Sequence, residues 1–262
     1  MRIRQSSQYS TRHHVRNGVS ALTLLQYASN HNDVLAPKWR EFFPRFRKRW
    51  NQTPSGEHVF LYGETGSGKT ELGALLANSE SYAVAMVTKP LDPIFKSPLY
   101  KGYRRVKKWN PNGTDTHVML SAPMGKSMNE ERANQRALFP GALDSIYREK
   151  NWTVLFDEGM HMSTTLGMKQ QVSDFFYLGR GYGLTGIMCS QRPRMIPAIV
   201  PQSCEHAFIS RSRRDDDLST LAELGRDKRE LRQIMRGLRS KHDFIYIDTQ
   251  EKLPVQIINT HY

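Results

Sequence analysis

The sequence predicts an α/β protein with a mainly parallel sheet flanked by helices on both faces. Two observations support this fold class. From residue 58 onward, short apolar runs typical of strands alternate with helical segments, and this alternation favours a parallel sheet. A glycine-rich segment, residues 63–70, lies between the first of these strands and the first helix. The 262 residues suit one such domain with an appendage, since single cores grow to about 250–300 residues.

The elements follow in order along the chain. Apolar runs predict strands at residues 58–62, 82–88, 117–120, 152–156, 184–190, 206–210, 244–248 and 254–258. Helical spacing predicts helices at residues 71–78, 129–150, 170–178 and 215–235, the second of them interrupted near Pro140 and Gly141. No internal repeat is visible.

The first part of the chain differs in charge. Residues 1–50 contain ten Lys or Arg and two acidic residues, so they hold most of the net charge of +13. We therefore divide the chain into a basic N-terminal extension, residues 1–56, and an α/β domain, residues 57–262. A positive excess of this size indicates a polyanionic partner.

Aromatic and basic residues alternate within residues 37–50, PKWREFFPRFRKRW. Such a segment could stack on bases and grip phosphates. The other interpretation is a helix whose aromatic face docks on the core while its cations stay in water, with Pro44 expected to break or kink it. The helical spacing of Phe42, Phe43, Phe46 and Trp50 favours docking.

Cysteine content and hydropathy exclude other classes. Cys189 and Cys204 cannot build a disulfide framework and have no metal-ligand spacing, which indicates a reducing compartment. No run of about 18 apolar residues predicts a membrane span, and the N-terminus lacks the apolar region of a secretory signal. We expect a cytoplasmic protein, with an organelle transit peptide as the alternative, because residues 1–18 contain Arg and Ser but no acid.

Residues 63–70, GETGSGKT, fit the phosphate-binding loop pattern G-x-x-x-x-G-K-[ST] and lie between a strand and a helix, as the pattern requires. Glycines let the backbone wrap phosphates, and the helix N-terminus offers unpaired N–H groups to anionic oxygens. The sequence thus predicts a P-loop NTPase that binds ATP and Mg²⁺. The expected nucleotide-binding residues are Gly63, Glu64, Thr65, Gly66, Ser67, Gly68, Lys69 and Thr70.

Roles within the loop follow from its chemistry. Lys69 is expected to contact the β- and γ-phosphates, and the Thr70 hydroxyl to bind Mg²⁺. Roughly ninety residues later the apolar run TVLF ends in Asp157 and Glu158. Phosphoryl transfer needs a second metal-binding residue, so we expect Asp157 to hold Mg²⁺ and Glu158 to deprotonate the attacking water.

A third segment, residues 179–193, reads GRGYGLTGIMCSQRP. Gln191 follows an apolar strand, at the edge where open α/β sheets bind ligands. Arg180 precedes that strand, and an arginine there could reach the γ-phosphate of a neighbouring subunit. Taken alone, Arg180 and Arg192 would be ordinary surface cations.

The P-loop, the strand ending in Asp-Glu, and GR-x-x-G followed by a strand and SQRP together resemble the FtsK/HerA superfamily of DNA-pumping ATPases. The resemblance runs from about residue 58 to residue 214 and includes QSCEHAFISR, residues 202–211. It implies a RecA-like sheet and a homo-oligomeric ring that translocates double-stranded DNA. By matching positions, Gln191 becomes the γ-phosphate sensor and Arg180 the arginine-finger candidate.

The compact chain looks most like the viral genome-packaging branch of that superfamily. This implies a capsid or portal protein as a further partner, in the host cytoplasm or at a virion vertex. The family often continues Asp-Glu with Ala-His, whereas this chain reads DEGMH, so we expect His161 to be a packing or surface residue.

Two basic segments are candidates for contacts with DNA. Residues 101–109, KGYRRVKKW, contain five cations and no acid, and they could form a central-pore loop or a solvated hairpin. The cluster at residues 226–241 includes acids and is interpreted as a solvated helix face.

Two alternative functions remain open at this point. One is an ATPase of the zonula-occludens-toxin kind, which acts in virion assembly or protein export. The other is a DNA-binding or scaffold protein with a degenerate site, which the intact Lys69, Thr70, Asp157 and Glu158 disfavour.

Overall fold

The computed structural model describes residues 37–50, 54–110, 113–250 and 255–260. Its centre is one nine-stranded sheet with the strand order β3-β4-β2-β5-β6-β1-β7-β8-β9. The strands are β1 Val59–Tyr62, β2 Ala83–Val87, β3 Arg104–Val106, β4 His117–Ser121, β5 Thr153–Phe156, β6 Thr185–Ser190, β7 His206–Ser210, β8 Asp243–Asp248 and β9 Gln256–Asn259. Eight of them match predicted runs.

Seven α-helices lie in the described part of the chain. They are α1 Trp39–Arg49, α2 Lys69–Ala77, α3 Met128–Glu149, α4 Lys169–Leu178, α5 Ile199–Gln202, α6 Asp215–Ala222 and α7 Lys228–Gly237. None of these helices is both long enough and apolar enough to cross a bilayer.

Strands β1 to β7 pair in parallel, and the predicted mainly parallel sheet is confirmed. Strands β8 and β9 extend the sheet beyond β7 in antiparallel pairing. Because the parallel strands all point the same way, their carboxyl ends form one edge of the sheet, which we call the carboxyl edge.

Both faces of the sheet are covered. Alternate residues of a strand point to opposite faces. In β1, Phe60 and Tyr62 join an apolar cluster formed with α3, α4, α6 and α7. Val59 and Leu61 join a second cluster formed with α1 and α2. This accounts for strands that are apolar throughout rather than alternating with polar residues.

Two helix expectations were wrong in detail. Helix α3 runs unbroken through Pro140. Phe139, Ala142 and Leu143 bury their side chains against the sheet, and this packing offsets the loss of the hydrogen bond that proline cannot donate. The stretch 215–235 is not one helix. It divides into α6 and α7 around Gly225, where a Cβ atom would lie 2.6 Å from Leu231 Cδ2.

The basic segment 101–109 contains β3, one of the two edge strands of the sheet, which sequence reasoning did not predict. Arg104 forms an ion pair with Asp115, and Arg105 donates to the Phe95 carbonyl. Edge strands often carry cations, which discourage pairing with other chains. Lys101, Lys107 and Lys108 are exposed.

The docking interpretation of residues 37–50 is confirmed. Phe42 and Phe46 are buried, with ring centroids 5.0 and 5.6 Å from that of Tyr246 in β8. Helix α1 continues through Pro44. Residues 1–36 lie outside the described residues, and the domain boundary at residue 56 stays a prediction.

Replacing Phe46 by alanine should lower the free energy of unfolding by about 3–5 kcal/mol, because it removes a fully buried ring. Urea denaturation would measure the loss. Phe43→Ala is the matched control, since Phe43 is only partly buried on the same helix, and its cost should be clearly smaller. Equal small losses in both variants would contradict the docking of α1.

Candidate functional site

The P-loop connects the end of β1 to the start of α2. Gly66 and Gly68 have positive φ angles of 74° and 87°, a region that glycine enters without strain. A Cβ at Gly63 would lie 2.2 Å from Ser67 Oγ, so glycine is required there as well. The loop therefore turns tightly enough to place its N–H groups around an anion at the N-terminus of α2.

Lys69 and Thr70 open α2, and the Lys69 side chain is buried. Thr70 Oγ1 donates to Asp157 Oδ1 at 3.3 Å, although 87 residues separate the two in sequence. The predicted Mg²⁺ residues are thus in contact across the α2–β5 boundary.

Asp157 and Glu158 follow β5 and are both buried. Burial, aided by the charge of Glu158, raises the pKa of Asp157 to about 6, while Lys89 and Lys69 oppose the rise. Glu158 Oε1 has no hydrogen-bond partner among the described residues, so it can accept a proton or hydrogen bond from a ligand.

The hydroxyl of Thr70 and the carboxylate of Asp157 are oxygen ligands of the kind that Mg²⁺ prefers, and the residues present fit the ion. No cluster of three or more His, Cys, Asp or Glu side chains able to hold a metal occurs within the described ranges.

Gln191 connects the loop to the catalytic acid. It follows β6, which lies between β1 and β5 in the sheet. Thr65 Oγ1 donates to Gln191 Oε1 at 3.0 Å, and Gln191 Nε2 donates to Glu158 Oε2 at 3.1 Å. The Gln191 amide therefore contacts both the P-loop and the predicted base.

Sequence reasoning missed Lys89. Its ammonium lies 3.5 Å from Glu158 Oε2, because Lys89 comes two residues after β2 and β2 pairs with β5. The sequence did contain a signal for Lys89. A cation just after a predicted strand lies at the same carboxyl edge as Asp157 and Glu158. The strand order that makes β2 and β5 neighbours was not evident from the sequence.

The structure does not bring Arg180 together with the other site residues. It lies before β6, at the edge of the sheet opposite the carboxyl edge, which we call the amino edge, and its guanidinium pairs with Glu205 Oε1 at 2.7 Å. Its carbonyl accepts from the Gly56 N–H, which ties it to the segment before β1. A role for Arg180 towards a neighbouring subunit stays a prediction.

His161 lies in a π-helical turn, His161–Thr165, and its Nε2 is 2.8 Å from Gln135 Oε1. Partial burial lowers the pKa of His161. Gln135 in turn donates to the Thr88 carbonyl at the end of β2. This position agrees with the packing role expected for His161.

No family model matches the chain, and no curated protein matches it. Solved structures are similar to it. The genome-packaging NTPase B204 of Sulfolobus turreted icosahedral virus 2, in complex with sulfate, has a TM-score of 0.55 at 15% identity over 80% of this chain and 99% of that chain. The DNA-packaging ATPase B204 of Sulfolobus turreted icosahedral virus gives 0.53 at 16% identity, over 77% and 96%.

The pCW3 conjugation coupling protein TcpA, with ATPγS, gives a TM-score of 0.51 at 16% identity, over 79% of this chain and 62% of that chain. At these identities the likeness establishes the fold. The chain has a P-loop NTPase fold similar to that of viral genome-packaging NTPases, as the sequence resemblance led us to expect.

Replacing Lys89 by alanine should lower kcat/KM for Mg-ATP about tenfold, because a cation that offsets two buried carboxylates is lost. Steady-state ATPase assays would measure the effect. Lys96→Ala removes an exposed cation from the same β2–β3 connection and should leave the rate unchanged. Equal rates in the two variants would rule out a role for Lys89 in the site.

Proposed function

We propose that this chain is a Mg-ATP-dependent motor that translocates double-stranded DNA and packages a viral genome into a capsid. The observation that carries the proposal is the contact of Gln191 with both Thr65 and Glu158. It joins the P-loop, the sensor position and the predicted base into one site, as ATP hydrolysis requires.

Each group then has a role in hydrolysis. Lys69 and the loop N–H groups bind the β- and γ-phosphates, and Thr70 with Asp157 holds Mg²⁺. When bound, the ion neutralises the charge that develops on the phosphates. Glu158 orients the attacking water and accepts its proton through the buried Oε1. Gln191 connects the γ-phosphate position to Glu158.

We further propose that the working form is a homo-oligomeric ring in which Arg180 reaches the site of the next subunit. The position of Arg180 at the opposite edge of its own sheet supports this arrangement. An arginine supplied in trans stabilises transition-state charge and makes hydrolysis depend on assembly.

The cargo is inferred from charge and from the fold. The chain carries a net charge of +13, and the B204 structures belong to proteins described as genome- or DNA-packaging. Lys101, Lys107 and Lys108, exposed beside the edge strand, are the candidate phosphate contacts. Such contacts bind DNA without sequence preference. A capsid or portal protein would then anchor the ring, in the host cytoplasm or at a virion vertex.

Glu158→Gln should still bind ATP but lower kcat by about 10²–10⁴, because the amide cannot accept the proton of water. Nucleotide titration and single-turnover hydrolysis would separate binding from chemistry. Glu223→Gln makes the same change at an exposed position of the α6–α7 connection and should be neutral. Unchanged turnover in Glu158→Gln would remove this residue as the base.

Double-stranded DNA should stimulate the ATPase, and alanine at Lys101, Lys107 and Lys108 should weaken DNA binding. Loss of three phosphate contacts should reduce the slope of log K against log salt by about 3. Alanine at the exposed Lys96, Lys126 and Lys169 removes equal charge elsewhere and is the matched control.

Absence of DNA stimulation in the wild type would contradict the DNA motor and favour the protein-export alternative. An unchanged salt slope in the Lys101, Lys107 and Lys108 variant alone would contradict only this placement of the DNA contacts.

A further inference from the structure

One part of the basic cluster 226–241 does not lie on a solvated helix face. Helix α7 ends at Gly237, and the chain then crosses the P-loop before entering β8. We call residues 239–242 the P-loop turn. A Cβ at Gly66 would lie 3.3 Å from Lys241 Nζ, and a Cβ at Gly68 would lie 3.6 Å from His242 Nδ1. Both side chains therefore stand directly beside the phosphate-binding backbone.

The P-loop turn is fixed from two neighbouring strands. Ser210 Oγ, at the end of β7, donates to the Lys241 carbonyl at 2.9 Å. The Thr260 N–H, just after β9, donates to the His242 carbonyl at 3.1 Å. Buried Asp243 accepts from the Ser240 N–H at 3.0 Å. The turn is thus held by the sheet, so Lys241 and His242 have a defined position relative to the loop.

The strand order tells which end of a nucleotide this turn faces. Strand β1 lies between β6 and β7. The contacts of Thr65 with Gln191 and of Thr70 with Asp157 place the hydrolytic groups on the β6–β5 side of the loop. The P-loop turn lies on the other side, next to β7 and β8. A nucleotide whose terminal phosphate is directed to β5 and β6 would extend its sugar and base towards β7 and β8.

The geometry points to Lys241 and His242 as the residues that bind the nucleoside end of ATP, and this inference rests on the proposed nucleotide-binding function. The Lys241 ammonium offers three donors to oxygen and nitrogen acceptors of the sugar and base. The half-buried His242 ring offers a flat surface on which the base can stack. The P-loop pattern itself assigns no residue to this end of the ligand.

The test compares two ligands by titration calorimetry: Mg-ATP and inorganic tripolyphosphate with Mg²⁺, which lacks the nucleoside. Lys241→Ala and His242→Ala should each weaken ATP binding about tenfold, the loss typical of one charge-assisted hydrogen bond for Lys241 and of one stacked base for His242. Tripolyphosphate affinity should be unchanged in both variants, and it also reports that the P-loop remains folded.

Two control variants distinguish the possible causes of a loss of ATP affinity. Arg239→Ala removes an exposed cation from the same turn and should leave both affinities unchanged. Lys69→Ala should weaken both ligands. Equal loss of ATP and tripolyphosphate in Lys241→Ala would overturn the inference, since the contact would be to phosphate. Unchanged ATP affinity in both turn variants would overturn it too. A wild-type protein that binds neither ligand would instead overturn the proposed function.

Discussion

The candidate site depends on the parallel pairing of β1 between β6 and β7. In this register Tyr62 lies opposite Ser190 on one side and Ile209 on the other, and the Gly63 N–H donates to the Ser190 carbonyl at 3.1 Å. Gln191 comes directly after Ser190, the last residue of β6, so the strand pairing sets it beside the P-loop. Residues more than a hundred positions apart meet because three strands end together at one edge.

Electrostatics sets the second constraint. Burying a carboxylate is unfavourable unless a cation or hydrogen bonds compensate. Asp157 and Glu158 are adjacent and buried, and burial raises the pKa of Asp157 to about 6 although Lys89 and Lys69 oppose the rise. These two cations therefore compensate only part of the cost of burying an ionised carboxylate at Asp157. A bound cation would offset more of that cost.

The parts of the candidate site that the sequence predicted are those marked by a local sequence pattern. Three parts of the site each follow an apolar strand: the P-loop, the acids Asp157 and Glu158, and the amide of Gln191. Because parallel strands end at one edge of the sheet, we expected these parts to lie close together. The contact of Lys89 with Glu158 and the position of Lys241 beside Gly66 were missed because they depend on strand order, which no local pattern reveals. Pro140 was misjudged for a related reason: local propensity opposes a helix there, whereas packing of Phe139, Ala142 and Leu143 outweighs it.

Arg180 lies far from the candidate site of its own subunit, so any role at a nucleotide site needs a neighbouring subunit. Strand β6 has six residues, so Arg180 before it and Gln191 after it are separated by about 20 Å of strand. Glu205 holds the guanidinium with one oxygen and accepts from the His58 N–H with the other, which anchors the arginine at the amino edge. An arginine fixed there could serve a nucleotide site only across a head-to-tail contact, and head-to-tail contacts close into rings when the rotation permits. In the proposed ring, hydrolysis at each site would then depend on the neighbouring subunit.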